Sequence, residues 1–274
     1  MASAHWDETL AERYRNFRYE FPETTLASRT VIVAGGTGGL GSAMVALLAR
    51  EGARVVVGYR ANRERAEKLE HAIEEQFHGK LEFVPGDIIE PGVRRAYLAA
   101  VQRLGQPLAG AAIFPGDPAR IAFEALNHEA IAASVESNYT GPILLAKELG
   151  EAMEAAGGGN LVLLATMQAV APFPSSLNYA APKAALVHGA RILAQQWKRV
   201  SVNVVAPGAT VAGMAESSVK SGKYDLHIAS GAIARFGRPE DVARAVRFFL
   251  EPGHYMNGQV LAVDGGLTIR RDRG

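Results

Sequence analysis

VIVAGGTGGLGSAM, residues 31–44, is the stretch on which the fold turns. TVIVAGG (30–36) reads as a buried strand that ends in glycines, and SAMVALLAREG (42–52) then takes up the spacing of an amphipathic helix closed by Gly52. A strand that turns through glycines into a helix brings backbone N–H groups and the positive end of the helix dipole to one point. Gly35, Gly38, Gly39 and Gly41, with Thr37 and Leu40 among them, leave that point bare enough for a pyrophosphate to approach. The bland alternative is a tight turn without a ligand. The position of the glycines, after the first strand and at the opening of a helix, favours a dinucleotide.

Working outward, ARVVVGY (53–59), LEFVPGD (81–87), LAGAAIF (108–114), NLVLLAT (160–166), VSVNVVAPG (200–208) and GQVLAV (258–263) repeat the strand theme. Helix-length connections such as NRERAEKLEHAIEEQ (62–76) separate them. Short runs that read as buried on both faces, joined by helices, predict an α/β fold: a single-domain, Rossmann-type doubly wound parallel sheet with helices on both faces. Residues 1–28 read as an N-terminal helical extension, and 29–274 as the Rossmann-fold domain.

The composition, 48% hydrophobic and 21% charged over 274 residues, suits a globular chain with a substantial core. Lys and Arg number 29 against 28 Asp and Glu, and this balance argues against nucleic acid or an anionic membrane as partner. The absence of cysteine removes disulfides, thiolate nucleophiles and Cys-ligated zinc, and suits the cytoplasm. The opening residues mix acids and bases and lack the apolar core of a signal peptide. No later segment approaches the roughly 20 uncharged apolar residues of a membrane span. His71, His78, His128, His188, His227 and His254 show no paired ligand spacing, so no metal is expected. Ser175 and Ser176 lack the context of a nucleophile elbow.

The spacing Gly35-x-x-x-Gly39-x-Gly41 resembles the T-G-x-x-x-G-x-G signature of the short-chain dehydrogenase/reductase family, with Ala34 in place of the threonine. From about residue 29 to 268, further stretches resemble the family in order and spacing: Gly86-Asp87, Ser137-Asn138, YAAPK (179–183), VAPG (205–208), GRPEDVARAVRFFL (237–250) and NGQVLAVDGG (257–266). The last two bring 3-oxoacyl-acyl-carrier-protein reductases nearest. The resemblance implies a nicotinamide-dependent oxidoreductase acting on a small carbonyl or alcohol, with a catalytic set of Tyr179, Lys183, Thr166 and Asn138. Cofactor contacts are implied at Gly35, Thr37, Gly38, Gly39, Leu40, Gly41, Tyr59, Arg60, Asp87, Ile88, Pro207, Gly208 and Thr210. A homotetramer or homodimer is also implied, assembled through the helices up to and including the Tyr-Lys helix and through the last strand.

The residue chemistry gives these positions a rationale. Alone, Tyr179 and Lys183 at i and i+4 would be a solvated helix face. Beside a nicotinamide site they become a proton donor and its tuning charge, since a free phenol, with a pKa of about 10, is a poor partner at neutral pH and an adjacent ammonium is expected to lower it. Thr166 keeps a hydroxyl where the family commonly has serine and can hold the substrate oxygen. At the end of the second strand Tyr59 stands where an acid would bind the ribose hydroxyls of NAD(H). Arg60, with Arg63 as a second candidate, suits a 2′-phosphate, so NADP(H) is preferred and NAD(H) stays possible. The alternative for both arginines, which the NADP(H) reading outweighs, is solvation of the next helix; for Asp87 a helix-start cap is as plausible as an adenine contact.

Three departures bear on the site: Phe114-Pro115-Gly116 where the family has Asn-Ala-Gly, Ala34 in the phosphate turn, and Pro182 inside the Tyr-Lys turn, which requires the helix to start close to Tyr179 or to bend. The segment 210–236 reads as a lid or as surface helices. Against the reductase stand an NAD-dependent dehydrogenase of a polyol, steroid or sugar alcohol, a nucleotide-sensing protein without turnover, and a purely structural subunit.

Overall fold

A computed structural model of the chain describes residues 26–174, 176–212, 219–222 and 224–270. The expected helical extension lies outside them except for residues 26–28, a turn in which Leu26 is fully buried and the Ser28 N–H donates to Gly52 O at 3.2 Å.

Seven strands form one parallel sheet in the order β3-β2-β1-β4-β5-β6-β7: β1 (Thr30–Ala34), β2 (Arg54–Tyr59), β3 (Leu81–Pro85), β4 (Leu108–Ile113), β5 (Gly159–Leu164), β6 (Val200–Pro207) and β7 (Val260–Val263). The helices, in chain order, are α1 (Gly39–Arg50), α2 (Arg63–Phe77), α3 (Pro91–Leu104), α4 (His128–Val135), α5 (Gly141–Ala155), α6 (Met167–Val170), α7 (Leu177–Leu193), α8 (Asp225–Ala229), α9 (Pro239–Leu250) and α10 (Leu267–Arg270). This is the doubly wound sheet expected from the strand-helix alternation.

The period of two along each strand divides the core between the faces. Val31, Val33, Val55 and Val57 meet Met44 and Leu48 of α1, Ile73 of α2 and Val246 of α9. Ile32, Ala34, Val56 and Leu161 meet Tyr97 of α3, Leu149 of α5 and Leu186 of α7. Both faces of the central strands β1, β4 and β5 are covered, which explains why they read as unbroken apolar runs. After β3 the chain crosses to the far side of β1 to form β4, so the connections leaving β1 and β4 diverge and open a crevice at the carboxyl ends of the strands.

A smaller core fixes the segment expected to be lid or helices. Tyr224, Ala232 and Ile233 pack with Met167, Ala209 and Leu267, and Thr210 pairs with Gly237 in an isolated parallel bridge. Helix α8 lies in this segment, while residues 213–218 and 223 fall outside the described chain.

Candidate active site

The crevice holds a cavity of about 970 Å³ that runs from the glycine turn to the Tyr-Lys helix. At its inner end the turn departs from β1 through Gly35, in the left-handed region at φ 75°. A Cβ on Gly41 would lie 2.2 Å from the Gly35 carbonyl oxygen, so helix and turn approach this closely only with glycine there. Gly38 caps α1 without a side chain, and no acid occupies the first helical turn. The first N–H groups of α1 therefore face the cavity with no competing anion, an arrangement that fits a dinucleotide pyrophosphate. Thr37, Gly39 and Leu40 line this part. Ala34, where the family threonine is missing, is fully buried in the core.

Tyr59, Arg60, Asp87 and Ile88 line the side of the cavity above β2 and β3. Asp87 accepts the Ile89 N–H at 3.0 Å in a turn ahead of α3, whose N-cap is Glu90, so Asp87 is not the helix-start cap. The turn is braced from behind by Arg94, only 5% exposed, which donates to the carbonyls of Ile88 and Ile89 at 2.8 Å each and pairs with Glu148 of α5 at 2.7 Å. Arg63, the second cation expected here, instead pairs along its own helix with Glu67 at 2.8 Å; Arg65 lines the cavity in its place. Two residues, a little over half a helical turn, separate the two, and Glu67 at i+4 from Arg63 is the sequence signal for that choice. Pro207, Gly208 and Thr210 close the opposite wall.

Tyr179, Lys183 and Thr166 meet where the cavity crosses β4 and β5. Thr166 caps α6, accepting the Gln168 N–H at 3.3 Å, and its hydroxyl is hydrogen-bonded with the Tyr179 phenol. Lys183 is fully buried and donates to Leu164 O at 3.0 Å and Pro115 O at 3.3 Å. Burial pushes its ammonium down to about 7. Burial also pushes Tyr179 up to about 12, against the pull of the Thr166 hydrogen bond and with a further push from Tyr224. The expectation that Lys183 depresses Tyr179 is thus corrected. Loss of water around the phenol is the largest cause, and Lys183, whose own charge is weakened near neutrality by burial, is not among the groups that move it.

The remaining parts explain the departures. Helix α7 begins at Leu177, two residues before Tyr179, and Pro182 lies within it. Proline leaves the Asn178 carbonyl without its helical donor, and the Ser134 hydroxyl of α4 donates to that carbonyl instead. Asn138 lies in a π-helical turn, Glu136–Thr140, fully buried behind the cavity wall instead of lining it. Its amide accepts the Asp117 N–H at 3.1 Å and donates to Asp117 O at 2.9 Å and Ser134 Oγ at 3.2 Å. Of Phe114-Pro115-Gly116, the glycine is the indispensable member, because a Cβ there would lie 2.7 Å from Asn138 Oδ1 and 2.9 Å from Lys183 Nζ. Phe114 takes over the bracing role by packing into the core shared with α1 and α9.

The open end of the cavity contains residues the sequence did not announce. Tyr224, hydrogen-bonded to the Gln168 side chain, has its pKa raised by burial and eased by that bond and by the charge of Arg120. Phe123 and Leu177, 74% and 55% exposed, form an apolar rim. Among the described residues no cluster of histidine and carboxylate groups could hold a metal ion, and no helix is long and apolar enough to cross a membrane.

The family described as enoyl-(acyl carrier protein) reductase matches residues 34–268. An NADPH-dependent aldehyde reductase 2 of Arabidopsis thaliana is 29% identical over 265 residues, covering 90% of this chain and 97% of that one. Among solved structures, a variant of actinorhodin polyketide ketoreductase with NADPH superposes with a TM-score of 0.80 at 26% identity, covering 88% of this chain and 98% of that one. A 7α-hydroxysteroid dehydrogenase complexed with NADH and 7-oxo-glycochenodeoxycholic acid reaches 0.83 at 25% identity, over 92% and 99%.

Proposed function

The chain belongs to the short-chain dehydrogenase/reductase family of oxidoreductases, and from that premise we propose that it interconverts a carbonyl and an alcohol with NADP(H), reduction being the favoured direction. The observation that carries this reading is the Tyr179 phenol, half-buried and hydrogen-bonded with Thr166, in one cavity with Lys183 and the glycine cradle. A bound nicotinamide supplies the hydride. Thr166 and Tyr179 hold the carbonyl oxygen through their hydroxyls, and as charge develops on that oxygen Tyr179 delivers its proton. A phenol held near 12 keeps its proton at neutral pH yet is far more acidic than an alcohol, so transfer to an alkoxide runs downhill. Taking the proton back, as oxidation requires, is harder, which supports reduction. Lys183 lines the same cavity with its ammonium held by Leu164 O and Pro115 O, and Asn138 acts from behind by fixing the Asp117 backbone and, through Ser134, the start of α7.

The nucleotide preference rests on Tyr59, Arg60 and Arg65. No acid stands at Tyr59 to repel a 2′-phosphate, and two guanidinium groups border that end of the cavity. Arg60→Ala is expected to weaken NADPH binding by about 10–100-fold and NADH binding by less than about twofold, as lost charge-assisted hydrogen bonds demand. Titration of the reduced nicotinamide fluorescence measures both, and equal binding of the two nucleotides by the unaltered protein would turn the assignment to the NAD-dependent alternative. Oxidation of NADPH by a panel of aldehydes and ketones, apolar ones included to match the Phe123 and Leu177 rim, tests turnover. Binding without turnover on any of them would favour a nucleotide sensor.

Self-association and a cytoplasmic setting complete the proposal. β7 is an edge strand with Leu261 37% exposed, flanked by a fully exposed Tyr255 and a half-exposed Phe248, an apolar margin that suits a second copy. Sedimentation is expected to give a dimer or tetramer, and a monomer at micromolar concentration would reject it. The cysteine-free sequence suits a reducing compartment.

A further inference from the structure

Tyr97 carries a buried hydroxyl for which the reaction has no use. The residue belongs to α3, is 1% exposed, and packs its ring in the core beneath β2. Its tip nevertheless reaches the cavity wall beside Tyr59, Asp87 and Ile88. Gly58 makes the room: a Cβ there would lie 1.7 Å from the Tyr97 hydroxyl and 2.7 Å from the ring carbon that bears it. Glycine inside a buried strand forgoes packing and raises the entropy cost of folding, so its presence in the middle of VVVGY needs a reason, and the phenol supplies one. Among the described residues no group shares a hydrogen bond with this hydroxyl. Burial first, then the nearby Asp87 carboxylate, push the phenol's pKa up, so the proton stays on it.

We propose that the Tyr97 hydroxyl is a cofactor-binding group that hydrogen-bonds the adenine ring of the bound dinucleotide. The inference rests on the dinucleotide reading above and adds a residue to it. Placement along the cavity selects the base over the phosphates. Tyr97 opens beside apolar Ile88 and anionic Asp87, in the part of the cavity that Tyr59 and Arg60 also line and away from the pyrophosphate at the glycine turn. An anion would be repelled there, whereas a neutral heterocycle with donors and acceptors on its rim is matched by a hydroxyl that can both give and accept. A hydroxyl that opens on the cavity with no protein partner among the described residues is free to bond a ligand in place of water.

Tyr97→Phe separates this role from a structural one, because it keeps the ring that fills the core and removes only the atom without a partner. Wild type and variant are titrated with NADPH, with 2′,5′-ADP, which carries the adenosine half alone, and with reduced nicotinamide mononucleotide, which lacks it. Melting of each free protein is recorded alongside. The expected result is a three- to tenfold weakening of NADPH and 2′,5′-ADP, roughly the worth of one hydrogen bond, with nicotinamide mononucleotide unchanged and the free variant melting at the same temperature or higher. Unchanged affinity for both adenosine ligands overturns the proposal, as does a loss shared by nicotinamide mononucleotide or accompanied by a lower melting temperature. Should wild type bind neither NADPH nor 2′,5′-ADP, the cofactor reading itself falls and this inference with it.

Discussion

Tyr179→Phe is expected to lower kcat/KM for carbonyl reduction by about 10²–10⁴-fold, the range for loss of a positioned general acid, while NADPH affinity stays within about twofold. The phenylalanine ring fills the same space in α7, so the fold and the nucleotide end of the cavity are undisturbed. What disappears is the proton that the developing alkoxide must receive, and one of the two hydroxyls that hold its oxygen. Thr166 cannot replace it as acid, because an aliphatic hydroxyl is no more acidic than the alcohol being formed. The distinctive reading is the pH profile. With the phenol near 12, the wild-type reduction rate should show no loss from Tyr179 ionisation across the neutral range, and should fall only as pH approaches that value. A variant that keeps more than about a tenth of wild-type activity would remove Tyr179 from the reaction and leave the proton to another group.

How much of this was legible in the sequence depends on the range over which each property is decided. The strands follow from apolar runs and glycine punctuation, which are local, and the glycine turn was readable because helix and strand flank it directly. Tyr179, Lys183 and Thr166 share one short segment and converge as the spacing suggested. The pKa of Tyr179 was misjudged because burial is set by the whole crevice, not by the neighbour one helical turn away. Arg63 and Arg65 differ only in which side of α2 they occupy, and an i+4 partner, Glu67, draws off the first. Tyr224 and Gln168 join across more than fifty residues of chain, and Tyr97 becomes interesting only once Gly58 is known to lie above it. Phe114-Pro115-Gly116 looked like damage to the family pattern, yet its glycine is the member the buried Asn138 and Lys183 require.

Lys183→Met should abolish most turnover and at the same time raise the melting temperature of the free protein. The ammonium is buried without a carboxylate, held by the carbonyls of Leu164 and Pro115 alone, and its pKa falls from 10.5 to about 7. Below pH 7 the group is charged in both folded and unfolded chains, and the folded chain bears the whole cost of burying it, on the order of 5 kcal/mol for such a shift. As pH rises from 7 towards 10.5 the folded chain releases the proton while the unfolded chain keeps it, so stability recovers. Methionine fills a similar volume without charge, and the two carbonyls left unpaired return about 1–3 kcal/mol of the gain. The net, about 2–4 kcal/mol, corresponds to about 4–16 °C in melting temperature for a chain of this size. The gain should be largest near pH 6 and shrink by pH 9, a slope that a packing improvement would not produce. Activity should fall by about 10²–10³-fold, since a preorganised cation is lost from the cavity in which the oxyanion develops. If the variant melts below wild type at pH 6, or if its advantage does not change with pH, then Lys183 is not a strained cation maintained for the reaction but a satisfied part of the core.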